Sequence, residues 1–116
     1  MKPRYNFFKN SMYAFNGLKD VIKTERSFQI ELLVLLIVVM PYILYSEFSS
    51  LEKLLLFSSY FGILIAEAIN SSIERVVDLI TLEKNDLAGK AKDIGSLVVL
   101  LSIFNTIIIW LYIVLI

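Results

Sequence analysis

LLLFSSYFGILIAEAINSSIERVVD, residues Leu54 to Asp78, opens as an uncharged, mostly apolar run and closes as a polar stripe. Glu67, Asn70, Ser71, Glu74 and Asp78 are placed at mutual spacings that include three, four and seven. On a helix of about 3.6 residues per turn these five side chains fall within about 100° of arc. One stripe therefore carries three carboxylates, an amide and a hydroxyl, and its first member is still inside what reads as a membrane span. A carboxylate at membrane depth is expensive, which makes an ionisable residue there a functional candidate by default.

The composition agrees with a membrane protein. The chain has 116 residues, 58% of them hydrophobic, and a mean hydropathy of +0.75. That excess is too large for a small soluble core, and the length allows one domain, residues 1–116. Basic and acidic residues balance at 11 each, so no net charge draws the chain to nucleic acid. Cysteine and histidine are both absent, which removes disulfides, Cys- or His-ligated metals, and Ser-His or Cys-His catalysis. Chemistry is left to carboxylates, lysines, hydroxyls and backbone. The N-terminal MKPRYNFFKNSMY has no long apolar run and no small-residue cleavage site, so no cleaved leader is expected.

With its flanking segments, this stretch predicts an all-α membrane protein, a homotrimer only by the resemblance given below. Three spans lie at about 28–45, 51–70 and 96–116, each near the roughly 20 residues that cross a bilayer. Ahead of them, about 4–26, Tyr5, Phe8, Met12, Phe15, Leu18 and Ile22 form a helical apolar stripe interleaved with Lys9, Lys19 and Lys23. This is the pattern of an amphipathic helix lying on the membrane surface, or of one packed on another protein. Helical periodicity continues past the second span through SSIERVVDLI, breaks near Thr81 to Leu87, and resumes at about Ala88. No internal repeat and no low-complexity segment is present.

Basic residues set the orientation. Six of the 11 (Lys2, Arg4, Lys9, Lys19, Lys23, Arg26) precede the first span, and Arg75, Lys84, Lys90 and Lys92 lie between the second and third. The connection from Ser46 to Ser50 has only Lys53 just beyond it, and the C-terminus has none. The N-terminus and the second connection are thus expected in the cytoplasm, where all the polar motifs collect.

Four constellations could carry chemistry. Glu67, a turn inside the second span, would be a partly desolvated proton acceptor, or else a carboxylate bonding a neighbouring helix. Glu74, about 10 Å further along the axis, and Glu25, just before the first span, form a two-carboxylate ligand set of the kind Mg²⁺ accepts, or two solvated acids paired with lysines. AGKAKDIGS, Ala88 to Ser96, offers Lys90, Lys92 and Asp93 to phosphate, nucleotide or metal, with Gly89 and Gly95 permitting close approach; flanking lysines are also ordinary at a span. It lacks the order of a P-loop, and the chain has no protein-kinase signature. Phe28, Gln29 and Glu31 begin the first span, where a lipid head group with a free hydroxyl could meet them. Gly62, Asn105 and Thr106 are read as helix-packing residues.

EAINSSIERVVD followed by AGKAKDIGS resembles the bacterial integral-membrane diacylglycerol kinase family, including its undecaprenol kinases. The family pattern is roughly E-x-x-N-[ST]-x-I-E-x-x-x-D, then A-K-D-x-[GA]-[SA]. Here it is met by Glu67, Asn70, Ser71, Ile73, Glu74 and Asp78, then Ala91, Lys92, Asp93, Gly95 and Ser96. The order of surface helix and spans agrees over nearly the whole chain.

The resemblance implies a homotrimer in the bacterial inner membrane that moves the γ-phosphate of MgATP to a lipid hydroxyl, with diacylglycerol favoured weakly over undecaprenol by Ser71 and Gly95-Ser96. Glu67 would be the general base, and Glu25 and Glu74 the Mg²⁺ ligands. Tyr13, Glu25, Glu74, Asp78, Glu83, Asn85, Lys92 and Asp93 would contact ATP. Phe28, Gln29, Glu31, Glu67, Asn70 and Ser96 would meet the lipid. Three departures stand out. Asn6 replaces an arginine common in the family, with Arg4 nearby; Asn85 replaces a histidine; Ile30 replaces a glutamine. The rival from a different class is a non-enzymatic trimeric membrane scaffold that uses Glu67 as an interhelical bond.

Overall fold

The computed structural model of the chain describes residue 4 and residues 6–116; Lys2 and Tyr5 lie outside them. Four helical elements run in order: an N-terminal helix, Phe7–Thr24; a first long helix, Arg26–Tyr45; a second, Ser50–Ile80; and a third, Asp86–Leu115. No strand occurs among the described residues. The three long helices are each long and apolar enough to cross a membrane.

Local chemistry sets each boundary. Asn6 caps the N-terminal helix by accepting from Lys9 N at 3.1 Å. Glu25 then adopts an extended backbone (φ −104°, ψ 107°), so the helix expected over 4–26 is shorter at both ends and hinges at one residue. Ser49 and Glu52 form a reciprocal capping box, with Glu52 N to Ser49 Oγ at 3.2 Å and Ser49 N to Glu52 Oε1 at 2.9 Å. Thr81, extended at φ −157° and ψ 137°, ends the second helix. Asn85 caps the third, accepting from Ala88 N at 3.1 Å. That cap brings Asp86 into the first turn, so the helix starts two residues before the expected Ala88.

Thirty-one residues of the second helix and thirty of the third exceed what a bilayer core of about 30 Å needs. The surplus of both lies at one end, where Glu74, Asp78 and Lys92 sit; this is the polar end of the molecule. The first long helix contains a π-helical turn, Leu35–Val39, closed by Met40 N bonding to Leu35 O. Pro41 follows at once. It has no N–H to give the ladder, and a widened turn relieves the crowding its ring would cause.

The helices pack around Phe28, Leu35, Val39, Ile43, Leu56, Leu64 and Ile113, with Leu56 fully buried. The most extensive contact is between the second and third long helices. Polar links lock them in register: Thr106 Oγ1 lies 2.8 Å from Ser59 O, and Trp110 Nε1 donates to Leu56 O at 3.2 Å. Tyr60 Oη donates to Glu31 O at 2.9 Å and ties the first long helix to the second. Thr106 therefore serves packing as expected. Gly62 and Asn105 do not within this chain: a Cβ on Gly62 would meet nothing within 4 Å, and Asn105 is exposed.

Candidate active site

Glu67 is 9% exposed, enclosed on the second long helix beside Ala66 and Ser71, which are also buried. The carboxyl group of Glu31, from the first long helix, adjoins it. Tyr60 holds the Glu31 backbone carbonyl, so the first helix's register against the second sets this approach. Glu31 Oε2 is buried without a hydrogen-bond partner.

One turn along the second helix, Asn70 donates from Nδ2 to Glu74 Oε1 at 2.9 Å and orients that carboxylate. Its other amide atom, Oδ1, is buried without a partner and sits over Gly95 of the third helix. A Cβ built on Gly95 would collide with it, so glycine leaves the room this amide oxygen occupies. Gly89 is different: a Cβ there meets nothing within 4 Å. The site thus presents two buried acceptors, Glu31 Oε2 and Asn70 Oδ1, near a buried carboxylate. Buried polar atoms are normally satisfied, and a hydroxyl-bearing ligand is the chemistry that would satisfy these.

Beside this cluster lies a cavity of about 430 Å³. Leu18 and Val21 of the N-terminal helix, Phe28, and Ala68 and Ser71 of the second long helix give it a largely apolar wall, while Asp20 and Arg75 stand at its polar side. Gln29 is turned elsewhere, donating from Nε2 to Ile22 O at 2.7 Å across the Glu25 joint.

A second cavity of about 280 Å³ lies at the polar end, where the second helix turns into the third. Glu83, Asn85 and Lys92 line it together with Thr81 and Lys84, which the sequence reading did not single out. Lys92 Nζ pairs with Asp78 Oδ1 at 2.7 Å; both side chains are nearly half exposed, so the pair positions the ammonium more than it stabilises the fold. Tyr13, Asp93 and Ser96 line neither cavity, and all three are exposed.

Glu25, at the joint, accepts from Arg75 Nη2 at 2.8 Å. The same guanidinium bonds Thr24 Oγ1 at 2.8 Å and the Asp20 carboxylate. Sequence reading missed Arg75, Asp20 and Thr24. The i, i+4 spacing of Asp20 and Thr24 marks a shared face, but their partner is more than fifty residues away and left no local signal. Among the described residues no three acidic groups converge as a metal cage.

The fold is that of a helical membrane protein, and the candidate site residues lie toward one end of its bundle. The model of prokaryotic diacylglycerol kinase matches residues 12–114, and the chain belongs to that family. It is a lipid kinase. A diacylglycerol kinase of Escherichia coli is 38% identical over 103 residues, 88% of this chain and 83% of that relative. One from Haemophilus influenzae is 31% identical over 105 residues, 90% and 88% of the two chains. An undecaprenol kinase of Bacillus subtilis is 34% identical over 90 residues, 78% and 72%.

Proposed function

We propose that the protein phosphorylates diacylglycerol to phosphatidic acid, using MgATP from the cytoplasm. The observation that carries this reading is the buried Glu67 flanked by two partnerless acceptors, with a predominantly apolar cavity on one side and the carboxylate and lysine groups of the polar end beyond. A lipid hydroxyl can enter from the bilayer and a nucleotide from the water, and the two meet at Glu67.

In this mechanism Glu67 takes the hydroxyl proton as the lipid oxygen forms its bond to the γ-phosphorus. The bond from that phosphorus to the β,γ-bridging oxygen breaks, and ADP leaves with the electron pair. Phosphoryl transfer asks the protein mostly for positioning and charge neutralisation, which carboxylates and lysines on rigid helices supply. Asn70 fixes Glu74, and Asp78 fixes Lys92 for the phosphates. Glu83 and Asn85 hold the nucleotide from the turn, with Tyr13 and Asp93 completing its contacts. Phe28, Glu31 and Ser96 meet the lipid. Gln29, expected in the same role, acts by bracing the joint beside them.

Mg²⁺ suits the donors present. It is commonly held by one or two carboxylates together with substrate phosphates, not by an all-protein cage. Glu25 and Glu74 are the hard oxygen ligands here, and the bound ion would spread the charge developing on the phosphates.

The active assembly in this reading is a homotrimer in the inner membrane with its N-terminus in the cytoplasm. Asp93 and Ser96 face outward from their own protomer and so can reach a neighbour's site. The N-terminal helix lies in the membrane interface, supported by Phe7, Phe8, Met12 and Phe15, each more than three-fifths exposed and uncovered by the rest of the chain.

The deciding assay supplies purified protein and labelled MgATP with dioleoylglycerol or undecaprenol in mixed micelles. Label in phosphatidic acid is expected. The likeness to an undecaprenol kinase makes the second acceptor the competing reading, and label confined to the polyprenol would establish it instead.

A further inference from the structure

One member of the polar cluster at the joint, Arg75, is left unused by this mechanism. Arg75 directly follows Glu74, and its guanidinium gathers three acceptors from the end of the N-terminal helix: the Asp20 carboxylate, Thr24 Oγ1 at 2.8 Å and Glu25 Oε1 at 2.8 Å. It also stands in the wall of the 430 Å³ cavity, beside Asp20. Its side chain is 46% exposed and that of Glu25 is 29% exposed, so both are reachable from water.

We propose that Arg75 is a placeholder for the divalent cation: it holds Glu25 in position until metal and nucleotide arrive, then gives up that carboxylate and takes a phosphate. The inference rests on the reading of Glu25 as a metal ligand. The guanidinium on Glu25 Oε1 and a cation on the same carboxylate repel each other at close range, so cation binding at Glu25 competes with the present Arg75 contact. Partly exposed ion pairs are weak, which makes the exchange easy. The planar fork of an arginine matches phosphate as well as carboxylate, and the incoming nucleotide brings several negative charges to the place where the guanidinium is released. Before that, the same positive charge keeps Asp20 and Glu25, two like charges, together at the joint.

The consequence is a split that a mere structural latch would not give. In Arg75→Ala, Glu25 is left without a competitor but the nucleotide loses a phosphate donor. Binding of Mn²⁺ alone, read by electron paramagnetic resonance of the free ion, should tighten several-fold. Binding of a non-hydrolysable ATP analogue with Mg²⁺, read by calorimetry, should weaken roughly tenfold, the usual worth of a charge-assisted hydrogen bond. Arg75→Lys should move both affinities the same way by less, and it retains a charge at the joint should the alanine variant fail to fold. If both affinities fall together, or neither moves, the exchange is wrong. Glu25→Gln separates the two layers of argument. Weakened Mn²⁺ binding in Glu25→Gln, with no effect of Arg75 substitution, overturns the exchange and leaves the ligand reading intact. Unchanged Mn²⁺ binding in Glu25→Gln overturns both.

Discussion

Glu67 and Gly95 carry opposite kinds of information about the same site. Glu67 is a charged type of residue where the fold would prefer an apolar one, which is why the proposed mechanism gives it the proton transfer. Glu67→Gln keeps the volume and the hydrogen-bonding shape but cannot take the proton. Turnover should drop by about 10²- to 10⁴-fold, while size-exclusion chromatography shows unaltered assembly; loss of assembly would make Glu67 a packing group. Gly95 has no chemistry of its own. Its value is the space it leaves for Asn70 Oδ1. The clash introduced by Gly95→Ala falls on the far end of a side chain that can swing away, so the helices should stay folded. Asn70 would then release Glu74, and turnover should fall roughly tenfold, about the cost of one hydrogen bond, with little change in thermal midpoint. Glu67 could be picked out from the sequence, because a carboxylate in an apolar run is conspicuous one residue at a time. The pairing of Gly95 with Asn70 could not, because it needs the distance between two helices.

Among the helices, the ends are set by local chemistry and the joins are not. The capping residues Asn6, Ser49 and Asn85 act within three residues of themselves, so local sequence determines them. The π-helical turn before Pro41 and the extended joint at Glu25 answer to longer demands: the proline needs a wider turn, and the N-terminal helix must fold back to bring Asp20 and Thr24 to Arg75. Thr106 and Trp110 fix the second and third helices against each other from within the apolar layer. Membrane hydrogen bonds between helices average only about 0.6 kcal/mol. Thr106→Val, nearly equal in shape, should therefore lower stability in a denaturant titration by about that amount and leave activity unchanged. A collapse of the fold would mean that the Ser59 contact is the main tie between these helices.

At the scale of the whole molecule, most of the apolar surface of the three long helices is turned outward, as a protein that uses lipid as its solvent requires. The N-terminal helix has the same property on one face only. Because the chain has no cysteine, Phe15→Cys can be labelled uniquely with a polarity-sensitive fluorophore. On reconstitution into vesicles the emission should shift to the blue; emission as in water would place this helix off the bilayer. Composition alone made the membrane class readable, since 58% hydrophobic residues in 116 leave no soluble alternative. The larger cavity was not readable, because residues 14–28 and 68–75, which wall it, come side by side only on folding; the smaller one is lined from the single stretch 77–92.

The unbroken second helix sets a fixed gauge inside the molecule. Glu67 and Glu74 ride on one rod without proline or kink, about 10 Å apart. When the host bilayer thickens or thins, such a rod tilts or slides as a unit, and the interval between the two carboxylates, proton acceptor and phosphate end in the proposed mechanism, is preserved. The mismatch would be taken up at the one-residue elbow of Glu25, and in the proposed mechanism the carboxylate there is a metal ligand that shifts with it. Lipid composition should therefore tune how readily the cation is captured more than how fast the phosphate is handed over.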